Sequence, residues 1–183
     1  MITEVRGREN RYQIINGIFG HEFGHVLYTD FLSMQTYHNF LERYHWFPCP
    51  PILTKSKDMQ NEKDFWAYMK ADEKNAKAVI FVAHNLLNIL EDGYIESRVL
   101  NSFPGMLGSG LAKFRAIHFE KIGTVTQLME SERSGERHIL ESIMQIILSY
   151  AKFGEIKYGD EDFSNERIQL VFGLLSEIDR SVT

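Results

Sequence analysis

Residues 14–28 read Ile-Ile-Asn-Gly-Ile-Phe-Gly-His-Glu-Phe-Gly-His-Val-Leu-Tyr, and no other stretch restricts the fold of this chain as strongly. Drawn as a helix, it carries apolar residues around most of its circumference, which is the pattern of a buried element. The same stretch holds His21, Glu22 and His25. Burying such groups is costly unless each has a partner. Gly17, Gly20 and Gly24 form a narrow stripe beside the histidines, and each costs about 1 kcal/mol relative to Ala in a helix interior. Such a stripe is worth keeping where another backbone or a substrate must come close. The expectation is therefore a buried helix whose polar residues are engaged.

His21-Glu22-Phe23-Gly24-His25 matches the pattern H-E-x-x-H. Four residues advance a helix by about 400°, so the two imidazoles lie about 40° apart, one turn above the other. Placed so, both can bind one zinc ion from the same side. Glu22 lies about 100° from His21 and about 60° from His25, within reach of a water on that ion, where it would serve as general base.

A catalytic zinc usually takes a third protein ligand. The single cysteine, Cys49, stands in a proline-rich loop and is a poor donor. The better region is residues 85–96, Asn-Leu-Leu-Asn-Ile-Leu-Glu-Asp-Gly-Tyr-Ile-Glu. Leu86, Leu87, Leu90 and Tyr94 fall on one helical face, with His84, Asn88, Glu91 and Asp92 opposite. Glu91 is the leading choice of ligand. Asp92 and Glu96 share a face, and one of them is expected to accept the free N–H of a zinc-bound histidine. The reverse assignment, with Asp92 or Glu96 on the metal, stays open. Asp30 is a weaker partner of the same kind, and Tyr28 and Tyr94 read as packing before any role beside an oxyanion.

The rest of the chain reads as mainly α, with little or no sheet beyond a short hairpin. Helices are expected over residues 11–31 and 32–44, over 55–74, over the apolar 76–100, and near 136–152 and 166–179, the last two from apolar spacing of three and four. Residues 45–51 hold three prolines and form an aromatic loop, and residues 101–110 read as a glycine-rich loop. His38, His45, His118 and His138 lack spaced partners. Tyr37, Phe40, Tyr44, Trp46 and Phe47 read as core, and residues 130–137 as an exposed turn.

At 183 residues with 44% hydrophobic content the chain is one domain able to build a core, so 1–183 is taken as a single unit. A net charge of −5 argues against a nucleic-acid partner. No apolar run reaches the roughly 20 residues that span a bilayer, and the polar start shows no signal peptide. No membrane partner and a cytoplasmic location are expected.

Two segments resemble a known group. Gly-His-Glu-Phe-Gly-His-Val-Leu-Tyr-Thr-Asp-Phe (residues 20–31) with Asn-Ile-Leu-Glu-Asp-Gly-Tyr-Ile-Glu (residues 88–96) is similar to the gluzincin-type HExxH zinc metallopeptidases. More narrowly, the pair resembles the metallopeptidase region of bacterial and phage proteins that often precedes a von Willebrand factor A-like domain. The resemblance implies a zincin-like helical domain that binds Zn2+ through His21, His25 and an acidic residue of the second segment. Glu22 would be the base, and a peptide or protein the substrate. The match departs in two places. Ile95 stands four residues after Glu91, where gluzincins carry Asp, and only roughly ten residues precede the helix, leaving no room for the usual sheet. The chain then reads as a piece or a reduced form of a longer protein. Two functions follow: a zinc metallopeptidase, or a non-catalytic, zinc-stabilised helical module that binds a partner protein.

Overall fold

The computed structural model describes residues 7–160 and 163–183. Among the described residues the chain is mainly helical, with nine helices and no strand, so the expected hairpin is absent there. In order these are α1 (Arg8–Tyr28), α2 (Phe31–Glu42), α3 (Ser56–Ala71), α4 (Glu73–Ser102), α5 (Met106–Lys121), α6 (Val125–Arg133), α7 (Ile139–Phe153), α8 (Glu166–Phe172) and α9 (Leu175–Val182). No helix among the described residues is long and apolar enough to cross a membrane.

The helices gather into two compact units. One comprises Asp30–Leu87; the other joins the residues up to Thr29 with Asn88–Thr183. In the first unit, buried Leu41, Met69 and Ala76 carry Tyr37, Tyr44, Phe65 and Trp66 around them, while Phe40, expected in the core, is exposed. Trp46 from the proline-rich loop stacks on Phe65 at 5.6 Å and donates its indole N–H to Glu62 at 2.6 Å. Asp30, read above as a partner of the histidines, instead caps α2, accepting from the Ser33 N–H at 2.9 Å and its hydroxyl at 2.6 Å. His38, without a spaced partner in the sequence, meets His84 across α2 and α4 at 3.1 Å.

In the second unit the glycine stripe of α1 meets another backbone, one of the two alternatives raised by the sequence. A Cβ on Gly17 would stand 2.3 Å from the Gly110 carbonyl oxygen, and one on Gly110 would stand 2.7 Å from that of Gln13. The two helices cross at paired glycines. This explains why residues 106–110 are helical although they read as a loop: Gly108 and Gly110 are buried packing positions. Gly24 rests on Ile95 and Val99 of α4. Only one face of α1 is buried, through Ile14, Gly17, Gly20 and Gly24; Phe19 and Val26 are 59% and 75% exposed. The expectation of a helix buried all round is corrected accordingly. The glycines, not the larger apolar residues, mark the inward side.

The later helices follow their sequence signals unevenly. α7 begins at a capping box formed by His138 and Glu141 and ends at Gly154 in the left-handed region. Residues 166–179, expected as one helix, break at Gly173 into α8 and α9. α6, announced by its Thr124–Gln127 capping box, takes in the first part of the expected turn at 130–137.

The glycine crossing makes a direct prediction. Gly17→Ala should lower the unfolding free energy by about 1–3 kcal/mol in urea titration, because backbone has to move to admit one methyl group. Gly20→Ala, whose Cβ meets nothing nearer than 3.4 Å, should hold stability or raise it by up to about 1 kcal/mol.

Candidate metal centre

The site lies within the second unit, on α1, the second half of α4, α5 and α7. Glycine again sets the helix spacing. A Cβ on Gly93 would stand 2.6 Å from the Ala151 carbonyl oxygen, so α4 and α7 touch through backbone beside Asp92. Lys152, the next residue of α7, thereby brings its ammonium within 3.0 Å of Asp92 Oδ2 and 2.9 Å of Glu96 Oε1.

Glu96 has no solvent exposure. Its Oε1 accepts from His21 Nδ1 at 3.0 Å and its Oε2 from the Arg115 guanidinium at 2.7 Å. Burial opposes ionisation, but the His21 hydrogen bond, the Lys152 ammonium and the Arg115 guanidinium outweigh it and pull the carboxyl down to about 2. The group is therefore a carboxylate near neutral pH. It can only accept, so His21 Nδ1 carries the hydrogen.

His25 is held in a parallel way. Its Nδ1 lies 3.1 Å from the Thr29 hydroxyl and 3.3 Å from Glu91 Oε1, and the Thr29 hydroxyl donates to that same carboxylate. With both Nδ1 positions assigned to N–H, the Nε2 atom of each neutral imidazole presents a lone pair. These two atoms face each other at 3.3 Å. Asp92 Oδ1 completes the group, 3.8 Å from His21 Nε2 and 3.5 Å from His25 Nε2.

Three electron-pair donors thus point at one small volume. Only positive charge there relieves their repulsion: a proton on an imidazole or a bound cation. The proton alternative registers in His21. Burial alone would lower its pKa, yet the Glu96 hydrogen bond and the Asp92 charge more than offset this and raise it. The cation alternative matches the spacing. Two nitrogens about 2.0–2.1 Å from one tetrahedral ion stand about 3.3 Å apart. His21, His25 and Asp92 are also the group of three metal-ligating side chains whose donor atoms come together among the described residues. Beside them, Asp92 and Glu96 are both paired with Lys152, and Glu96 also with Arg115.

His21, His25, Glu91, Asp92 and Glu96 come together here, whereas Asp30 and His84 do not. Glu91, the leading third ligand, stands on Nδ1 of His25, on the far side of the ring from Nε2. Asp92 occupies the place next to both Nε2 atoms. Glu96 supports His21, one of the two arrangements left open. Glu22 is exposed on α1 between the two histidines. Tyr94 lies beneath the Arg98 guanidinium at 5.1 Å, as a packing residue.

Thr29, Arg115 and Lys152 escaped sequence reasoning. Arg115 and Lys152 did leave a signal, since each is charged on an otherwise buried helix face. Arg115 follows Gly108 and Leu111 at helical spacing, and Lys152 follows Ser149. No protein family, no curated protein and no solved structure matches this chain.

The burial of Glu96 makes the network costly to break. Glu96→Leu leaves Arg115 without its carboxylate and Lys152 with Asp92 alone, and should lower the unfolding free energy by about 3–5 kcal/mol. Glu91→Gln, which retains an acceptor for Thr29 and His25, should cost no more than about 1 kcal/mol. Chemical denaturation of the metal-free variants reads both.

Proposed function

We propose that this protein is a zinc-dependent hydrolase of the HExxH type, acting on peptide bonds, with His21, His25 and Asp92 as the metal ligands. The observation that carries the metal assignment is the convergence of His21 Nε2, His25 Nε2 and Asp92 Oδ1, with the opposite nitrogen of each ring held by Glu96 or by Glu91 and Thr29. That is the usual arrangement in which a carboxylate fixes the tautomer and orientation of a ligating histidine. Asp92 is preferred to Glu91 as third ligand because Glu91 is already engaged on the other side of the ring.

Bound zinc would supply a Lewis acid and lower the pKa of a coordinated water to about 7. The protein's own groups do the remaining work. His21 and His25 are aimed by their Nδ1 partners and need no reorientation. Glu22, on the solvent side of α1, takes the proton of the attacking water on its carboxylate and returns it to the leaving amine, as the residue between the histidines does in this motif. The exposed Phe19 and Val26 lie one turn either side of Glu22 on the same helix, and offer apolar contact to a substrate side chain.

A second reading has one observation in its favour. Peptidases of the zincin class hold substrate by main-chain pairing to an edge strand, and the described residues contain no strand. On that reading the metal ties α1 to α4 and the domain binds a partner protein.

Elemental mass spectrometry separates these from a metal-free domain. About one zinc per chain is expected, and none in a His21→Ala/His25→Ala double variant. Absence of zinc from wild type, before and after incubation with the metal, would remove both readings. Cleavage of a fluorogenic peptide library then decides between the two. Glu22→Gln should retain zinc and reduce hydrolysis by about 10²- to 10⁴-fold, whereas a zinc-loaded wild type without hydrolysis identifies the interaction module.

A further inference from the structure

Asp92 uses its two oxygens for different purposes. Oδ1 faces the two imidazole nitrogens, and Oδ2 accepts from the Lys152 ammonium at 3.0 Å. Lys152 is itself only 5% exposed and has a second carboxylate, Glu96, at 2.9 Å. A buried ammonium held by two carboxylates cannot swing away without leaving an unpaired charge. Its backbone is equally constrained, since the neighbouring Ala151 carbonyl oxygen would lie 2.6 Å from a Cβ on Gly93.

From this arrangement we propose that Lys152 is a positioning residue that holds Asp92 as a one-oxygen ligand and so keeps a coordination position open for water. The inference rests on the metal centre proposed above. A carboxylate beside a divalent ion otherwise tends to turn and offer both oxygens, since the second stands only about 2.2 Å from the first. With Oδ2 tied to Lys152, two imidazoles and one oxygen make three protein ligands, and a tetrahedral ion retains its fourth position. With Oδ2 released, Asp92 chelates and takes that position. Lys152 thus acts through Asp92, never touching the reacting atoms.

The sign of the expected effect distinguishes this from a structural role. A lysine that merely braced the fold would, once removed, loosen the site and weaken metal binding. On the positioning account Lys152→Met removes a cation that repels the metal and frees a second ligand oxygen. The variant should then bind metal at least as tightly as wild type, while its site gains a ligand and hydrolysis falls.

Cobalt(II) is the probe, because four-coordinate cobalt absorbs strongly in the visible and five-coordinate cobalt weakly. Cobalt titration of wild type should give the intense four-coordinate spectrum, and Lys152→Met the weaker one at undiminished affinity. Circular dichroism establishes that the variant is folded. Should it not fold, X-ray absorption of zinc-loaded wild type carries the test alone, with one-oxygen coordination by the carboxylate expected. Two-oxygen coordination in wild type overturns the proposal. So does a folded Lys152→Met with the wild-type cobalt spectrum, or one with markedly weaker cobalt binding. If wild type takes up neither metal, the metal centre itself fails and this inference goes with it.

Discussion

The carboxylate of Glu96 holds the second unit together. It has no access to water, and it is reached from three sides by His21 of α1, Arg115 of α5 and Lys152 of α7, while α4 carries it. An ionised group in that position is tolerable only while its hydrogen bonds are complete. Four helices are therefore fixed to one another by one side chain, and the orientation of His21 follows from it. Arg115 also donates to the Lys152 carbonyl oxygen near the end of α7, so the same guanidinium satisfies a helix-terminal acceptor. Stability and site geometry share this network, and a change that disturbs one disturbs the other.

Such a network needs helix axes closer than ordinary side chains permit. Gly17 against Gly110, Gly24 against Ile95 and Val99, and Gly93 against Ala151 supply that closeness at three separate crossings. Each glycine lowers helix propensity, and Gly17, Gly24 and Gly93 lie within about a turn of a site residue. The pattern is consistent: local helix stability is given up where polar groups on neighbouring helices have to meet. The buried apolar residues Ile14, Ile95, Val99 and Leu111 then fill the space between the crossings.

What the sequence revealed depended on whether the signal was local. α7, with its clear apolar spacing and strong caps, is legible in one dimension, as is the mainly helical class. His21 and His25 share a face because four residues nearly complete a turn, a property of the helix alone. Residues 106–110 misled because glycine in isolation signals a loop, whereas here it signals a neighbour. The exposed face of α1 misleads for a related reason: apolar content in a helix reads as burial, although here the small residues mark the packed side.

The carboxylate beside the two Nε2 atoms shows where such reasoning stops. Glu91 and Asp92 are adjacent, about 100° apart on α4, and both are short of nothing chemically. Which one meets Nε2 and which meets Nδ1 of His25 depends on how α4 is rotated against α1. That rotation is fixed by contacts far apart in sequence, Gly24 on Val99 and Gly93 on Ala151. The H-E-x-x-H spacing constrains only the two nitrogens it contains. A rotation of a quarter turn would exchange the roles of the two carboxylates without altering any motif. Lys152 then discriminates further, because its ammonium reaches Asp92 and Glu96, four residues apart on one face, and leaves Glu91 to Thr29. The assignment of roles among three acidic residues is thus made by a lysine on another helix, 60 positions away from Asp92.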